Sequence, residues 1–152
     1  MKRINLFVYG SLREGFFNYE KYLDGNVAET KMAKLANMKL YHMPYKGYPA
    51  IMFGKDTVIG EIMVLHEDRY EETMKAMDEM EGFISEGNPE NEYHKVVLEV
   101  ENLETNEKEP CFVYFYNKDK DKLFDSRAIY IPHGDWKEHM LDEAVEEDSI
   151  AQ

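Results

Sequence analysis

The chain has 152 residues with 43% hydrophobic and 13% aromatic content, enough to bury one core, and no low-complexity stretch divides it. Its formal charge of -13, with acid clusters at Glu67-Asp68, Glu71-Glu72, Asp78-Glu79 and Glu143 to Asp148, repels phosphate backbones and anionic lipid, so nucleic acid and membrane surfaces are not expected partners. The longest N-terminal apolar stretch, Leu6-Phe7-Val8-Tyr9, is too short for a signal peptide or a membrane span, and a cytoplasmic location is expected.

In chain order, Ile4 to Tyr9 reads as a buried first strand, ended by Gly10-Ser11. Asn18 is placed to cap a short helix from Tyr19 to Leu23, with Gly25 as its stop. Ala33 to His42 is a weaker strand, and Tyr48-Pro49-Ala50-Ile51 enters a further extended segment after Gly47. Residues 58–65 form the next strand, apolar on both faces except at Glu61.

Residues 68–81 carry the clearest helical period: Tyr70, Met74 and Met77 form one apolar stripe, and Gly82 suits a left-handed helix terminator. A polar loop at Asn88 to Asn91 precedes strands over 93–101 and 110–116, which are expected to pair as a hairpin. Ile129 to Pro132 is a last extended piece, and Asp135 is placed to cap a helix beginning at Trp136. The expected architecture is α+β: a small mixed or antiparallel sheet closing into a barrel, with helices outside. One domain spans 1–141, and 142–152 is expected to be an acidic, frayed tail.

Glu81 is the most informative residue. Helical geometry puts it about 20° around the axis from Tyr70, between the directions of Met74 and Met77, where an apolar residue belongs. Burial there raises a carboxylate's pKa, and the negative end of the helix dipole acts in the same sense. Both effects suit a general acid or base working near neutral pH, although a frayed last turn releasing Glu81 into water fits the spacing equally. At the end of the first strand, the Tyr9-Gly10-Ser11-Leu12 turn could aim successive amide hydrogens at one point, with Gly10 supplying conformational freedom. Such a nest holds a carboxylate or an oxyanion without a basic side chain, but a plain strand-ending turn fits the same four residues.

Other chemistries find less support. His42, His66, His94, His133 and His139 show no metal-ligand spacing, and phosphate loops and dinucleotide fingerprints are absent, so neither metal nor cofactor is expected. Ser11 lacks the nucleophile-elbow pattern. The single cysteine, Cys111, lies in an apolar run and reads as a core residue.

In order and spacing, these segments resemble the gamma-glutamylcyclotransferase-like family, which includes gamma-glutamylamine cyclotransferases. The resemblance runs from Leu6-Phe7-Val8-Tyr9-Gly10-Ser11-Leu12-Arg13 through Tyr48-Pro49-Ala50-Ile51, Gly60-Glu61, Met77-Asp78-Glu79-Met80-Glu81-Gly82, Tyr93 and Val113 to Tyr116, and closes at Gly134-Asp135-Trp136. It implies a gamma-glutamyl small molecule as substrate, Glu81 as catalytic acid/base, and Tyr9, Gly10, Ser11, Leu12, Tyr48 and Tyr116 as substrate contacts. The implied reaction cyclises a gamma-glutamyl amine or amino acid to 5-oxoproline in a monomer or homodimer. A non-catalytic metabolite-binding protein, or a gamma-glutamyl acyltransferase or amide hydrolase using the same pocket, are the alternatives. The family's usual arginine after the strand tyrosine is absent, because His94-Lys95 follows Tyr93.

Overall fold

The computed structural model describes the backbone of residues 3–151 and the side chains of residues 3–143. The described residues form six strands and three α-helices in the order β1 (Asn5–Val8), β2 (Val27–Met43), β3 (Tyr48–Leu65), α1 (Tyr70–Met80), β4 (Tyr93–Asn102), β5 (Lys108–Tyr116), α2 (Phe124–Arg127), β6 (Ile129–Ile131) and α3 (Trp136–Ala151). The strands follow the order β3-β1-β5-β4-β2-β6, and β2 also pairs with β3, which closes a five-stranded barrel and leaves β6 outside it on β2. One pairing is parallel, β1 with β5, through Asn5 opposite Cys111 and Leu6 opposite Phe112. The sheet is therefore mixed.

Two features decide this closure. The hairpin of β2 and β3 keeps its ladder from Val27–Leu65 to Met43–Tyr48, bending at a register shift around Met38 beside Asn37 at φ 63°. The separate extended segments expected at 48–51 and 58–65 are thus one strand, whose bulge looked from sequence like a break. Phe7, Ala33, Leu35, Val58, Ile62, Val100, Cys111 and Val113, drawn from all five barrel strands, fill the interior. The alternate residues Leu6 and Val8 of β1 pack with Met63, Leu65 and the α1 stripe residues Met74 and Met77. That packing fixes α1 against the outer face of β1 and sets the direction of its last turn.

The short helix over Tyr19–Leu23 is present as a single π-turn, closed by the Asp24 amide donating to the Tyr19 carbonyl at 2.8 Å. Asn18 makes no cap there, because its side-chain amide donates to Ser11 Oγ at 2.8 Å. Asp135 does cap α3, accepting the Glu138 amide at 3.2 Å. The tail expected over 142–152 continues as helix to Ala151; its side chains from 144 onward, and Gln152, lie outside the described residues.

Candidate active site

Helix α1 ends as its sequence directs. The Glu81 amide still donates to the Met77 carbonyl at 2.9 Å, and Gly82 follows at φ 67°. A side chain at 82 would also meet Glu92 Cβ at 2.8 Å, so the chain can turn here only on glycine. Beyond the turn the two flanks are tied together: the Glu92 amide donates to the Gly82 carbonyl at 3.0 Å and the Tyr93 amide to the Glu81 carbonyl at 3.2 Å. Glu81 and Glu92 are thereby delivered to one place.

That place is a cavity of about 100 Å³. Its walls are the end of β1 and the following turn, Phe7 to Leu12, with Asn18, Tyr48, Pro49, Met80, Glu81, Glu92, Tyr93 and Tyr114. Among these residues there is no lysine, arginine or histidine. Glu81 is half-buried, open to the cavity and otherwise enclosed by protein. Its pKa is raised to about 8, first by desolvation and then by the neighbouring Glu92 charge. The last turn is not frayed, since the Glu81 amide and carbonyl are both hydrogen-bonded.

The turn supplies another part of the wall. The Arg13 amide donates to the Gly10 carbonyl at 2.9 Å, and the amides of Ser11 and Leu12 have no intramolecular acceptor among the described residues. The reason for glycine at position 10 differs from the one expected. Gly10 has no left-handed φ; a Cβ there would fall 2.4 Å from Pro49 Cγ, so space rather than backbone freedom requires it. Pro49 is itself fixed, its carbonyl accepting the Tyr93 hydroxyl. Tyr9 directs its hydroxyl to the Tyr114 carbonyl at 2.7 Å, and burial with the Glu81 charge holds its phenol protonated.

Tyr48 lines the cavity and donates its hydroxyl hydrogen to Glu92. Tyr116 stands one ring further out: it packs edge-on against Tyr93 at 5.1 Å between ring centroids, donates to Asp121 Oδ2 at 2.6 Å, and does not line the cavity. Glu92, Tyr93, Pro49, Asn18 and Tyr114 are wall residues that sequence reasoning did not single out as contacts. Glu92 ends a loop whose shape depends on the buried Asn91, which accepts the Ile84 amide at 2.6 Å and donates to the Ser85 carbonyl at 2.8 Å. Where the family's arginine is missing, Lys95 pairs with Asp78 at 3.1 Å, and Asp78 also accepts the Tyr114 hydroxyl at 2.6 Å.

The fold also brings together His42, His139 and Glu143, whose candidate ligand atoms lie within 4.8 Å of one another. No sequence spacing announces this group, since 97 residues separate the two histidines. Its chemistry does not suit a cation. The Trp136 indole can only donate, and does so to His42 Nδ1 at 3.0 Å, which leaves the proton of the neutral ring on Nε2 and no free lone pair for a metal.

Comparison with known proteins agrees with this architecture. An Arabidopsis thaliana protein of known solution structure superposes with a TM-score of 0.64 at 24% identity, covering 99% of this chain and 80% of that one. An uncharacterized protein from Pyrococcus horikoshii superposes at 0.60 and 22% identity, covering 93% and 97%. In sequence, the chain is 30% identical over 140 residues to the gamma-L-glutamyl-butirosin B gamma-glutamyl cyclotransferase of Niallia circulans, covering 92% of this chain and 80% of that protein. Residues 6–138, which include every wall of the cavity, match the family described as gamma-glutamyl cyclotransferase, AIG2-like, and the chain belongs to that family.

Proposed function

We propose that this chain cyclises a gamma-glutamyl amine or amino acid to 5-oxoproline and releases the amine, with Glu81 moving the proton. One observation carries the reading: a carboxylate with its pKa raised to about 8 shares a small cavity with a turn whose amides are unengaged. The relative from Niallia circulans, named for gamma-L-glutamyl-butirosin B, supports a gamma-glutamyl bond as the one broken.

The substrate's α-carboxylate or the developing oxyanion is held by the Ser11 and Leu12 amides, which meets the charge problem set by a cavity with two acids and no base. Glu81 takes a proton from the α-ammonium. The freed amine attacks the γ-carbonyl carbon, forming the lactam C–N bond. Glu81 then returns its proton to the departing nitrogen as the original C–N bond breaks, while the amine's second proton passes to water. Since attack is intramolecular, the enzyme's main task is to hold a folded conformer, which a cavity of this size suits. A pKa near 8 suits both transfers, because neither the acid nor the base form of Glu81 is scarce near neutrality.

The test is a panel of gamma-glutamyl amino acids and gamma-glutamyl amines with detection of 5-oxoproline, run on the wild type and Glu81→Gln. The wild type is expected to form 5-oxoproline and the variant to lose at least about a hundredfold in turnover at unchanged fold. Undiminished activity in the variant rejects the role of Glu81. Release of free glutamate, or tight binding without product, rejects cyclisation.

A further inference from the structure

Arg13 follows the cavity turn directly, yet it is only 3% exposed, and so is its partner Glu61. Its Nε donates to Glu61 Oε2 at 2.6 Å and its Nη1 to Asp135 Oδ1 at 2.8 Å. The other Glu61 oxygen accepts the backbone amide of Glu14 at 3.1 Å. One guanidinium therefore joins the segment after the turn to β3 and to the start of α3.

The two acceptors are themselves held. Glu61 lies within the β1–β3 ladder, opposite Val8. Asp135 follows Gly134, whose carbonyl accepts the Ile59 amide at 2.8 Å, and a Cβ at 134 would fall 1.9 Å from the Thr57 carbonyl oxygen. The loop ahead of α3 is thus pressed onto β3, and Asp135 cannot drift from Arg13 without unpacking it.

A buried ion network is a poor way to gain stability, because desolvation largely offsets the attraction and apolar side chains of similar volume serve as well. What a rigid, planar fork gives is direction. None of the three side chains lines the cavity, so none touches substrate there. What Arg13 does touch is the turn: its own amide closes the turn on Gly10, and on the far flank Asn18 holds Ser11.

We infer that Arg13 is a positioning residue, which with Glu61 and Asp135 sets the orientation of the Ser11 and Leu12 amides toward the cavity. The inference rests on the proposed role of that turn in holding the substrate. It separates two jobs in the site: the Arg13 network governs the binding wall, while α1 and its packing govern Glu81.

The experiment uses the double variant Arg13→Met/Glu61→Leu, which exchanges the buried pair for apolar side chains of similar volume and leaves the half-buried Asp135 to its helix cap. Its melting temperature is expected to stay within a few degrees of wild type. KM for the best gamma-glutamyl substrate is expected to rise about ten- to a hundredfold. The pH midpoint of kcat/KM is expected not to move, because Glu81 stands on another element. Arg13→Lys, which keeps the charge and loses the two-way fork, is expected to give an intermediate KM, and it serves as the test variant if the double variant does not fold. Wild-type KM in the test variant overturns the inference.

Should the wild type make no 5-oxoproline from any member of the panel, the catalytic reading fails by itself. Backbone order parameters from nitrogen relaxation then decide the inference: lower values at Ser11 and Leu12 with unchanged values in β1 and β3 support it, and unchanged values at the turn overturn it.

Discussion

Glu92 accepts a hydrogen bond from Tyr48 on the cavity wall, so the second carboxylate of the site is held beside Glu81 rather than left to turn outward. Its nearest cation is the lysine at 46, at 3.4 Å. The first consequence concerns pH. Because the Glu92 charge is one of the two causes raising the Glu81 pKa from its ordinary value to about 8, Glu92→Gln is expected to move the rising limb of kcat/KM to lower pH. The limb stays above the ordinary carboxylate range, since desolvation, the larger cause, remains. A pH–rate profile of both proteins checks this.

The second prediction is a stability change opposite in sign to the activity change. The Glu81 pKa is about 8 in the folded protein against 4.5 for an ordinary glutamate, so between these values the folded state holds a proton that the unfolded chain has lost. Stability therefore falls as pH rises through that window and levels off above it. Glu81→Gln, which imitates the protonated form, is expected to melt above wild type at pH 8, by on the order of a few kcal/mol, and to converge with it toward pH 5. Thermal melts at several pH values measure it; a gap that does not vary with pH contradicts the assignment of the raised pKa to Glu81.

A third prediction follows from the contact between Gly10 and Pro49. Gly10→Ala drives a methyl group to within 2.4 Å of Pro49 Cγ, and the proline is pinned through its carbonyl by Tyr93. A loss of about 1–3 kcal/mol and a large drop in activity are expected. Gly10→Ala combined with Pro49→Ala removes the obstructing ring and is expected to recover much of the stability, as denaturant melts of the single and double variants would measure.

The lone cysteine gives a fourth. Cys111 is fully buried in the barrel interior, and burial pushes its thiol up to about 12. It is expected to ignore thiol reagents in the native protein and to react only at the rate of unfolding. Rapid labelling at pH 7.5 without denaturant would count against the interior packing described above.

Much of the fold was legible because local signals agreed with the tertiary outcome. The stripe of Tyr70, Met74 and Met77 with Gly82 behind it located α1, and the same phase marked Glu81 as out of place. The hairpin of β4 and β5 followed from two apolar runs around a polar connection. The bulged β3 was harder to read, since a register shift near Met38 resembles a chain break when only one strand is in view. The role of Gly10 was assigned to its backbone and belongs to its neighbour Pro49, 39 residues away. Glu61 stood out as a charge in an apolar strand, but nothing local tells that Arg13 and Asp135 meet it. Glu92 ends a segment, 84–92, whose length and acidity set it apart in the sequence, but nothing local marks Glu92 as a wall residue, as its position depends on the Asn91 bonds that shape the loop before it. Long-range partners of polar side chains are what a periodicity argument cannot supply.

The parallel pairing of β1 with β5 bears on how the enzyme comes to life. Residues 5 and 6 cannot take their places beside residues 111 and 112 until most of the chain has left the ribosome, and the guanidinium at position 13 waits longer still for the carboxylate at 135. The hairpin of β2 with β3, and β1 on the edge of β3, can form during synthesis, but the strand that leads into the cavity turn gains its second neighbour only when β5 emerges. Nascent chains that extend past Glu81 but stop short of Asp135 would thus carry every atom of Glu81 and of the turn while lacking the ion pair that ties the turn's flank to α3.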